Sequence, residues 1–349
     1  MHISVCIIAK NEEKNIERCL QKLKPYGFEI IVTDTGSTDK TYEIAAKYAD
    51  QVLTYVWTDN FSAARNYCAA HATNDFILAL DCDEHLEKID ILKIASLCKQ
   101  YSNLTGAIQL KNLIIREDGT KGYSKDIVPR FYDRKKFHFE NAIHEQLVPN
   151  KKNRQKENPS YLLPIDVIHF GYALPAEDMR KKQERNLKLL YHQLEVDGES
   201  PYLCFQIGQS ELVLNNCNNA IAFYERGLEY NESCSLTYVQ YMIEGLAKAY
   251  VMAGRQQDAL CLMQKYEEEC EYAKYVFYYA NVLMDNGEYL KALMKYVKAT
   301  MMEDTDTLGE ELIYCYKHIV ELYHRFGADD MADFFKHKYE QYKNLYTCN

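Results

Sequence analysis

Short apolar runs alternate with amphipathic stretches over roughly the first 80 residues. The apolar runs are rich in Val, Ile and Leu and stand between polar turns, which is typical of buried strands. The predicted strands are 3–9, 28–33, 52–56 and 76–80. Helices are predicted at 11–24 and 61–71. A third helix is predicted to follow the Gly and Ser turn at 34–38 and to end at residue 48. This alternation indicates βαβ units and an α/β fold, with a mostly parallel sheet and helices on both faces.

The pattern changes twice further along the chain. Residues 106–170 show short strands and turns, and beyond Pro175 the pattern is helical. The basic run at 151–156 is predicted to be a solvated loop, with a phosphate-binding patch as the alternative. We therefore expect three segments. They are a sheet domain at 1–172, a connecting helix at 173–200 and helical repeats at 201–349.

The helical half contains an internal repeat of roughly 33 to 40 residues. In each repeat an alanine lies about five positions after a turn residue. Small residues lie about eight positions before the same turn residue. The turns are centred on Asn215, Gly254, Gly287 and Gly327, and the alanines are Ala220, Ala259, Ala292 and Ala332. Small residues such as Gly208 would let paired helices approach closely, while Tyr224, Tyr296 and Ala299 fill further positions.

This half of the chain resembles the tetratricopeptide family of helical repeats. Such an array implies a concave surface for a peptide or protein. A packing or homodimerisation scaffold is the alternative use of the same repeats.

Composition bounds the class of protein. With 349 residues and 47% hydrophobic side chains, the chain has material for two domains with sizeable cores. No apolar run reaches the roughly 18 residues of a membrane span, and the N-terminus carries no basic leader. The 12 cysteines form no CxxC pair, which indicates buried free thiols in a reducing compartment. We expect a cytoplasmic protein.

The net charge of −10 is unevenly distributed. Residues 1–170 are balanced, with 23 basic and 23 acidic side chains, so the whole acidic excess lies in the second half. A neutral first half without basic stripes argues against nucleic acid, whose phosphates require clustered Lys and Arg. The acidic second half would tolerate a basic partner.

Two carboxylates follow the fourth predicted strand, at residues 76–80. Asp81 and Asp83 are two residues apart, so in an extended segment both point the same way, into the crevice at the carboxyl end of the strand. Oxygen ligands of this kind suit Mg²⁺ or Mn²⁺ bridging a diphosphate. The simpler alternative is a polar strand terminus.

Four ordered motifs, including this DxD motif, resemble those of the family 2 glycosyltransferases of GT-A fold. They are Ala9-Lys10-Asn11-Glu12-Glu13, Asp34-Thr35-Gly36-Ser37-Thr38-Asp39, Phe61-Ser62-Ala63-Ala64-Arg65-Asn66 and Leu80-Asp81-Cys82-Asp83-Glu84. The branch that this chain resembles contains lipopolysaccharide-core β-glucosyltransferases, and its layout with repeats is similar to that of sublancin-type peptide S-glycosyltransferases. The resemblance implies a GT-A catalytic domain and inverting transfer of a sugar from a nucleoside diphosphate sugar.

The resemblance also implies a set of nucleotide-binding residues. They are Ala9, Asn11, Glu12, Asp34, Ser37, Arg65, Asp81 and Cys82. Asp34 would hold the base and ribose, although an Asx turn or helix cap would also explain it. Arg65 would contact the nucleotide, or alternatively pair with Asp59 or another acid. Asn11 and Glu12 would begin the first helix beside the nucleotide.

Metal ligands and a catalytic base follow from the same resemblance. Asp81, Asp83 and His169 would bind Mn²⁺ or Mg²⁺, although His169 could instead be a hydrogen-bonded core histidine. Glu145 would deprotonate the acceptor, with a pKa raised by partial burial. His144 and Asp126 are the substitutes for Glu145.

These expectations combine into one predicted function. The chain would be a metal-dependent inverting hexosyltransferase using a UDP-sugar, with UDP-glucose the first donor to test, and a peptide, protein or saccharide acceptor. The repeats would bind the acceptor or a second copy of the enzyme. The alternative function is that of an adaptor, in which the sheet domain is catalytically inactive and the repeats bind another protein. The only tryptophan, Trp57, would have a structural role or stack on a sugar.

Overall fold

The structure of the protein is a computed structural model that describes residues 1–115, 121–150, 159–171 and 176–347. The basic run at 151–156 lies outside the described residues. The chain divides into two compact units, Met1–Ala176 and Glu177–Asn349. Each unit has its own hydrophobic core.

The first unit is built on an eight-stranded sheet with the order β3-β2-β1-β4-β7-β6-β10-β5. Its strands are β1 (Ile3–Ala9), β2 (Glu29–Asp34), β3 (Gln51–Thr54), β4 (Phe76–Asp81), β5 (Glu84–Ile89), β6 (Thr105–Ile115), β7 (Lys121–Asp133) and β10 (Ser160–His169). A separate antiparallel pair contains β8 (Phe137–Glu140) and β9 (Gln146–Pro149). Strands β3, β2, β1 and β4 pair in parallel, as the alternating pattern predicts. Beyond β4 the sheet is mixed, because β7 is antiparallel to both of its neighbours.

Helices cover both faces of this sheet. They are α1 (Ile16–Leu23), α2 (Thr41–Tyr48), α3 (Phe61–Ala70) and α4 (Ile91–Gln100). Successive side chains of β1 point to opposite faces, so Val5 packs with Leu20 of α1 in one core while Cys6 packs with Cys68 of α3 in another. The predicted α/β architecture is confirmed.

The prediction that Asn11 and Glu12 begin the first helix is wrong, because α1 begins at Ile16. Asn11 has a φ of +56°, a left-handed backbone conformation that cannot continue into a right-handed helix. The Asn11 amide donates to Ser37 Oγ at 2.9 Å and the Glu12 amide donates to Thr41 Oγ1 at 2.7 Å. Contacts with the next loop therefore displace the helix start by several residues.

The second unit is a succession of paired helices. They are α5 (Ala176–Asp197), α6 (Pro201–Val213), α7 (Cys217–Glu229), α8 (Thr237–Met252), α9 (Gln256–Lys265), α10 (Ala273–Asp285), α11 (Tyr289–Met301), α12 (Glu311–Arg325) and α13 (Asp329–Thr347). The predicted turn residues lie between the helices of each pair from α6 onward, and all have positive φ. They are Asn215 (+62°), Gly254 (+74°), Gly287 (+76°) and Gly327 (+70°). Glycine and asparagine tolerate this conformation, which explains the repeat signal in the sequence.

The ring of Tyr224 shows how close these helices lie. It is buried on α7, with Gly208 of α6 and Gly245 of α8 against it. A Cβ at Gly208 would lie 2.7 Å from the ring, and one at Gly245 would lie 2.6 Å from the hydroxyl oxygen. Small residues therefore allow the close approach that the repeat pattern predicts. Across the described ranges, none of the helices has both the length and the apolar character needed to cross a bilayer.

Candidate active site

The register of the sheet brings several predicted site residues to one edge. On β1 and β2, Ala9 pairs with Asp34, and on β1 and β4, Ile8 pairs with Asp81. Because these strands are parallel, Asp34 and Asp81 both lie at their carboxyl ends. This is the edge at which ligands bind in open α/β sheets.

Asp34 organises the loop after β2. Its Oδ2 accepts hydrogen bonds from the amides of Gly36, at 3.1 Å, and Ser37, at 3.0 Å, so it does form an Asx turn. The side chain is buried, and its Oδ1 has no hydrogen-bond partner in the described part of the chain. Since buried polar atoms are ordinarily paired, Oδ1 is suited to accept a hydrogen bond from a ligand hydroxyl or N–H.

The loops after β1 and β2 are joined by hydrogen bonds. The Ser37 hydroxyl accepts from the Asn11 amide, and Asn11 Oδ1 accepts from the Thr38 amide at 2.8 Å. Asn11 and Ser37 thus lie together beside Asp34. Glu12 uses its backbone carbonyl to accept from the amides of Asn15 and Ile16, both at 3.0 Å.

Arg65 connects two of the predicted acids. It is 5% exposed on α3, its Nη2 donates to Asp81 Oδ1 at 2.7 Å, and its Nε donates to Glu145 Oε1 at 2.5 Å. Burial alone would lower the pKa of Arg65, but the two carboxylates outweigh it and raise the pKa. Arg65 therefore pairs with acids other than Asp59. Its Nη1 makes no hydrogen bond to any described residue.

Arg130 was not identified from the sequence and completes this network. Its Nη2 donates to Asp81 Oδ2 at 3.0 Å and to Glu84 Oε1 at 2.8 Å. Glu84 is 1% exposed, and its Oε2 also accepts from the Asp81 amide at 3.0 Å. Burial would raise the pKa of Asp81, but Arg65 and Arg130 hold it well below the ordinary range. The first acid of the DxD motif is thus bound by two arginines.

The pKa of Glu145 is lowered, whereas a raised pKa was predicted from the sequence. Burial raises the pKa of Glu145, as predicted, but the charges of Arg65 and Arg130 outweigh burial and the net shift is downward. The segment is held beside α3, because the Phe61 amide donates to the Ala142 carbonyl at 2.8 Å. His144 has a φ of +52°, and its buried Nε2 lacks a hydrogen-bond partner among the side chains and backbone described. Burial lowers the pKa of His144.

The second acid of the motif, Asp83, lies beside His169. The Oδ2 of Asp83 is 3.4 Å from His169 Nε2, and the Phe170 amide donates to the Asp83 carbonyl at 3.0 Å. Burial would lower the pKa of His169, but Asp83 raises it. On the other side of the ring, His169 Nδ1 donates to Asn112 Oδ1 at 2.8 Å. One side-chain partner of the predicted histidine ligand is thus a buried asparagine.

The donor set around Asp83 fits a hard divalent cation in part. Carboxylate and imidazole groups suit Mn²⁺ or Mg²⁺, which often take their remaining ligands from water and substrate phosphates. Within the described ranges no group of three His, Cys, Asp and Glu side chains is placed to hold a metal. Asp81 differs from the other two predicted ligands, since both of its oxygens accept from arginines.

The other predicted residues have mainly structural contacts. The Ala9 carbonyl accepts from the Thr35 amide at 2.9 Å, and the buried Cys82 thiol donates to the Ile8 carbonyl at 3.7 Å. Any contact of Cys82 with a ligand would therefore use its backbone. Trp57 donates from Nε1 to Asp59 Oδ1 at 2.8 Å and packs edge-on against Phe61.

Comparison with known proteins shows which family the first part of the chain resembles. Residues 4–144 match the family model described as glycosyl transferase family 2. This part of the chain is therefore similar to the family 2 glycosyltransferases, and the helical pairs from α6 onward follow it. This confirms the layout expected from the motifs.

Several curated proteins are similar to this chain. A TPR repeat-containing protein of Synechococcus elongatus is 34% identical over 59% of this chain and 51% of its own length. The SPbeta prophage-derived glycosyltransferase SunS of Bacillus subtilis is 28% identical over 65% of this chain and 53% of its own. An uncharacterized glycosyltransferase of Rickettsia bellii is 33% identical over 48% of this chain and 60% of its own. The chain spans about half the length of the first two. A crystal structure of MamA covers 49% of this chain and 95% of its own, with 18% identity and a TM-score of 0.40.

Proposed function

We propose that the protein is a metal-dependent inverting glycosyltransferase that transfers a sugar from a nucleoside diphosphate sugar. The observation that carries this proposal is the position of Asp83 and His169 beside the strand edge where Asp34 keeps one unpaired oxygen. The family match at residues 4–144 supports the reaction class. UDP-glucose is the first donor to test.

Asp34 and Arg65 would bind the nucleotide. The unpaired Oδ1 of Asp34 would accept from a ribose hydroxyl or a uracil N–H. Arg65 already uses Nε and Nη2, so Nη1 is the nitrogen that would donate to a phosphate or base oxygen. Asn11 and Ser37 hold the two adjacent loops in place for this contact.

Asp83 and His169 would hold the divalent cation. A bound cation neutralises the diphosphate and stabilises the negative charge that develops on the leaving group. In this arrangement Asp81 orients Arg65 and Arg130 instead of binding the cation directly, so both arginines stay directed toward the strand edge.

Proton removal from the acceptor requires a base opposite the breaking bond. We assign this role to Glu145, because its lowered pKa keeps the carboxylate ionised and Oε2 is not the atom that Arg65 binds. His144 is the second candidate, because its lowered pKa keeps the imidazole neutral near pH 7 with Nε2 able to accept a proton. A Glu145→Gln variant that keeps turnover while His144→Ala loses it would move the assignment to His144.

The repeat unit would bind the acceptor or a second copy of the enzyme. A peptide, a protein or a saccharide acceptor fits this proposal. A cytoplasmic location belongs to it as well, because the cysteines of the described residues are free and mostly buried.

The test measures release of nucleoside diphosphate from a panel of nucleotide sugars, with Mn²⁺ and with EDTA. We expect one donor to be used, and Asp83→Asn to abolish its use. The surface variant Asp75→Asn, with the same chemical change, should retain activity. Labelled donor added to lysate then distinguishes protease-sensitive from solvent-extractable acceptors. Full activity of Asp83→Asn would refute the cation assignment, and no use of any donor would favour the inactive adaptor.

A further inference from the structure

We infer that Asn112 and Gly171 build the cation site around Asp83 and His169. Asn112 fixes the orientation of the His169 ring, and Gly171 keeps open the space that its Nε2 and the Asp83 carboxylate face. This inference rests on the proposed function, and it assigns positioning roles to two residues outside the four sequence motifs.

The contacts of the Asn112 amide define its orientation. Asn112 is 1% exposed on β6, and its Nδ2 donates to Asp126 Oδ2 at 2.6 Å. A carboxylate accepts hydrogen bonds, so the amide nitrogen faces Asp126 and the amide oxygen faces the other way. That oxygen, Oδ1, lies 2.8 Å from His169 Nδ1.

The contact with Asn112 defines the tautomer of the neutral His169 ring. An amide oxygen only accepts, so Nδ1 of His169 must carry the hydrogen in this contact. In the neutral ring the lone pair then lies on Nε2, the atom 3.4 Å from Asp83 Oδ2. Hydrogen bonds to the second nitrogen of a histidine ligand commonly fix its tautomer and orientation in metal sites. Asn112 would serve this purpose here, and Asp126 would hold Asn112.

Gly171 borders the space beside His169 Nε2 and Asp83 Oδ2. A Cβ at Gly171 would overlap His169 Nε2 and lie 2.5 Å from Asp83 Oδ2. The φ of Gly171 is not in the left-handed region, so the backbone conformation itself would admit other residues. What requires glycine is the volume next to both ligand atoms. Gly171, two residues after the end of β10, thus leaves room where a cation would be shared.

The experiment measures binding of Mn²⁺ to the full chain by electron paramagnetic resonance, without nucleotide and with UDP. We expect Gly171→Ala to raise the dissociation constant for Mn²⁺ at least tenfold. Asn112→Leu should raise it about 10–100-fold. The matched control is Gly106→Ala, whose Cβ would overlap Leu163 Cδ1 in the same unit. It tests crowding by a methyl group away from the site and should change affinity less than about twofold.

A second readout separates positioning from general destabilisation. Two-bond proton–nitrogen correlations of the His169 ring, assigned with His169→Gln, should show hydrogen on Nδ1 of the neutral ring in the wild type. Asn112→Leu should lose this preference while circular dichroism shows a folded chain. An unchanged tautomer in Asn112→Leu would overturn the role of Asn112 whatever its stability.

The outcomes distinguish this inference from the proposed function. If the wild type binds Mn²⁺ and both variants bind it equally well, the roles of Asn112 and Gly171 are refuted while the cation assignment stands. If the wild type binds no Mn²⁺, even with UDP, both the cation assignment and this inference are wrong. If the control loses affinity as Gly171→Ala does, space beside the ligands is not the cause and the role of Gly171 is refuted.

Discussion

Arg65 and Asp81 form an ion pair beneath the carboxyl edge of the sheet, with 2.7 Å between Nη2 and Oδ1. Arg130 binds the other oxygen of the same carboxylate at 3.0 Å. The two acids of the DxD motif therefore have different surroundings, since Asp83 faces His169 instead. We conclude that Asp81 supports the structure of the site more directly than Asp83 does.

This difference predicts unequal effects on stability. Asp81→Asn should lower the free energy of unfolding of the first unit by about 3 kcal/mol, because the buried guanidinium of Arg65 and the half-buried one of Arg130 both lose a carboxylate. Asp83→Asn should lower it by about 1 kcal/mol or less. Denaturant unfolding followed by circular dichroism measures both. Equal losses in the two variants would show that the division of roles is wrong.

The pair of Arg65 and Glu145 can be tested by a double-mutant cycle. The N–O separation is 2.5 Å and the arginine is buried, so Arg65→Met and Glu145→Gln should be coupled by about 1–3 kcal/mol. Unfolding of the wild type, both single variants and the double variant gives this value. Additive effects would mean that the contact contributes nothing beyond its separate residues. The pair of Lys135 and Asp75 on the surface is the control, with an expected coupling under about 1 kcal/mol.

The sequence predicted the acids of this site because they follow strands. Asp34 and Asp81 end apolar runs, and parallel pairing brings such ends together. Arg130, Glu84 and Asn112 could not be found in this way. Arg130 and Asn112 come from long strands whose pairing within the sheet is not encoded locally, and Glu84 looks like any acid beside a DxD motif until burial reveals its contacts.

The helical half gives a similar contrast. Turn positions such as Gly254 were predictable, because a positive φ favours glycine wherever it occurs. The start of α1 was not, because Asn11 takes its conformation from hydrogen bonds with the distant Ser37 and Thr38. Local backbone requirements can be read from a sequence, whereas long-range hydrogen bonds cannot.

Glu244 should make the stability of the second unit depend on pH. It is 7% exposed on α8, and burial raises its pKa from the ordinary 4.5 to about 7, with Lys274 and Tyr272 opposing and Glu311 adding to the shift. The folded state therefore binds this proton more tightly than the unfolded state. The contribution to stability is full below about pH 4.5 and is lost as the pH rises through about 7.

The test compares the free energy of unfolding at pH 5 and pH 8. The wild type should lose up to roughly 3 kcal/mol more than Glu244→Gln does over this range. Exposed Glu268→Gln should behave as the wild type does. The same pH dependence in Glu244→Gln and the wild type would refute the role of this buried acid.

Contact between Gly208 and Tyr224 sets the spacing of the first repeat helices. Gly208→Ala should destabilise the second unit by about 1–3 kcal/mol, because its methyl group would lie 2.7 Å from the ring. In a chain that already carries Tyr224→Leu, Gly208→Ala should destabilise the second unit less than it does in the wild type. The matched control is Gly287→Ala, whose Cβ would meet nothing within 4 Å and whose cost arises from a φ of +76°. The loss of stability in Gly287→Ala should add to the loss in Tyr224→Leu. If the losses in Gly208→Ala and Tyr224→Leu also add, contact between Gly208 and Tyr224 does not set the helix spacing.

Thermal stabilisation by nucleoside diphosphates tests the central claim most directly, because a ligand that binds only the folded state raises the melting temperature by mass action. A panel of nucleoside diphosphates and their sugars is added with Mn²⁺ and then with EDTA, to the wild type and to Asp83→Asn. We predict that one nucleotide raises the melting temperature of the wild type only with Mn²⁺, and that Asp83→Asn loses this shift. Absence of a shift with every nucleotide, or an equal shift in EDTA, would contradict a metal-dependent donor site at this edge of the sheet.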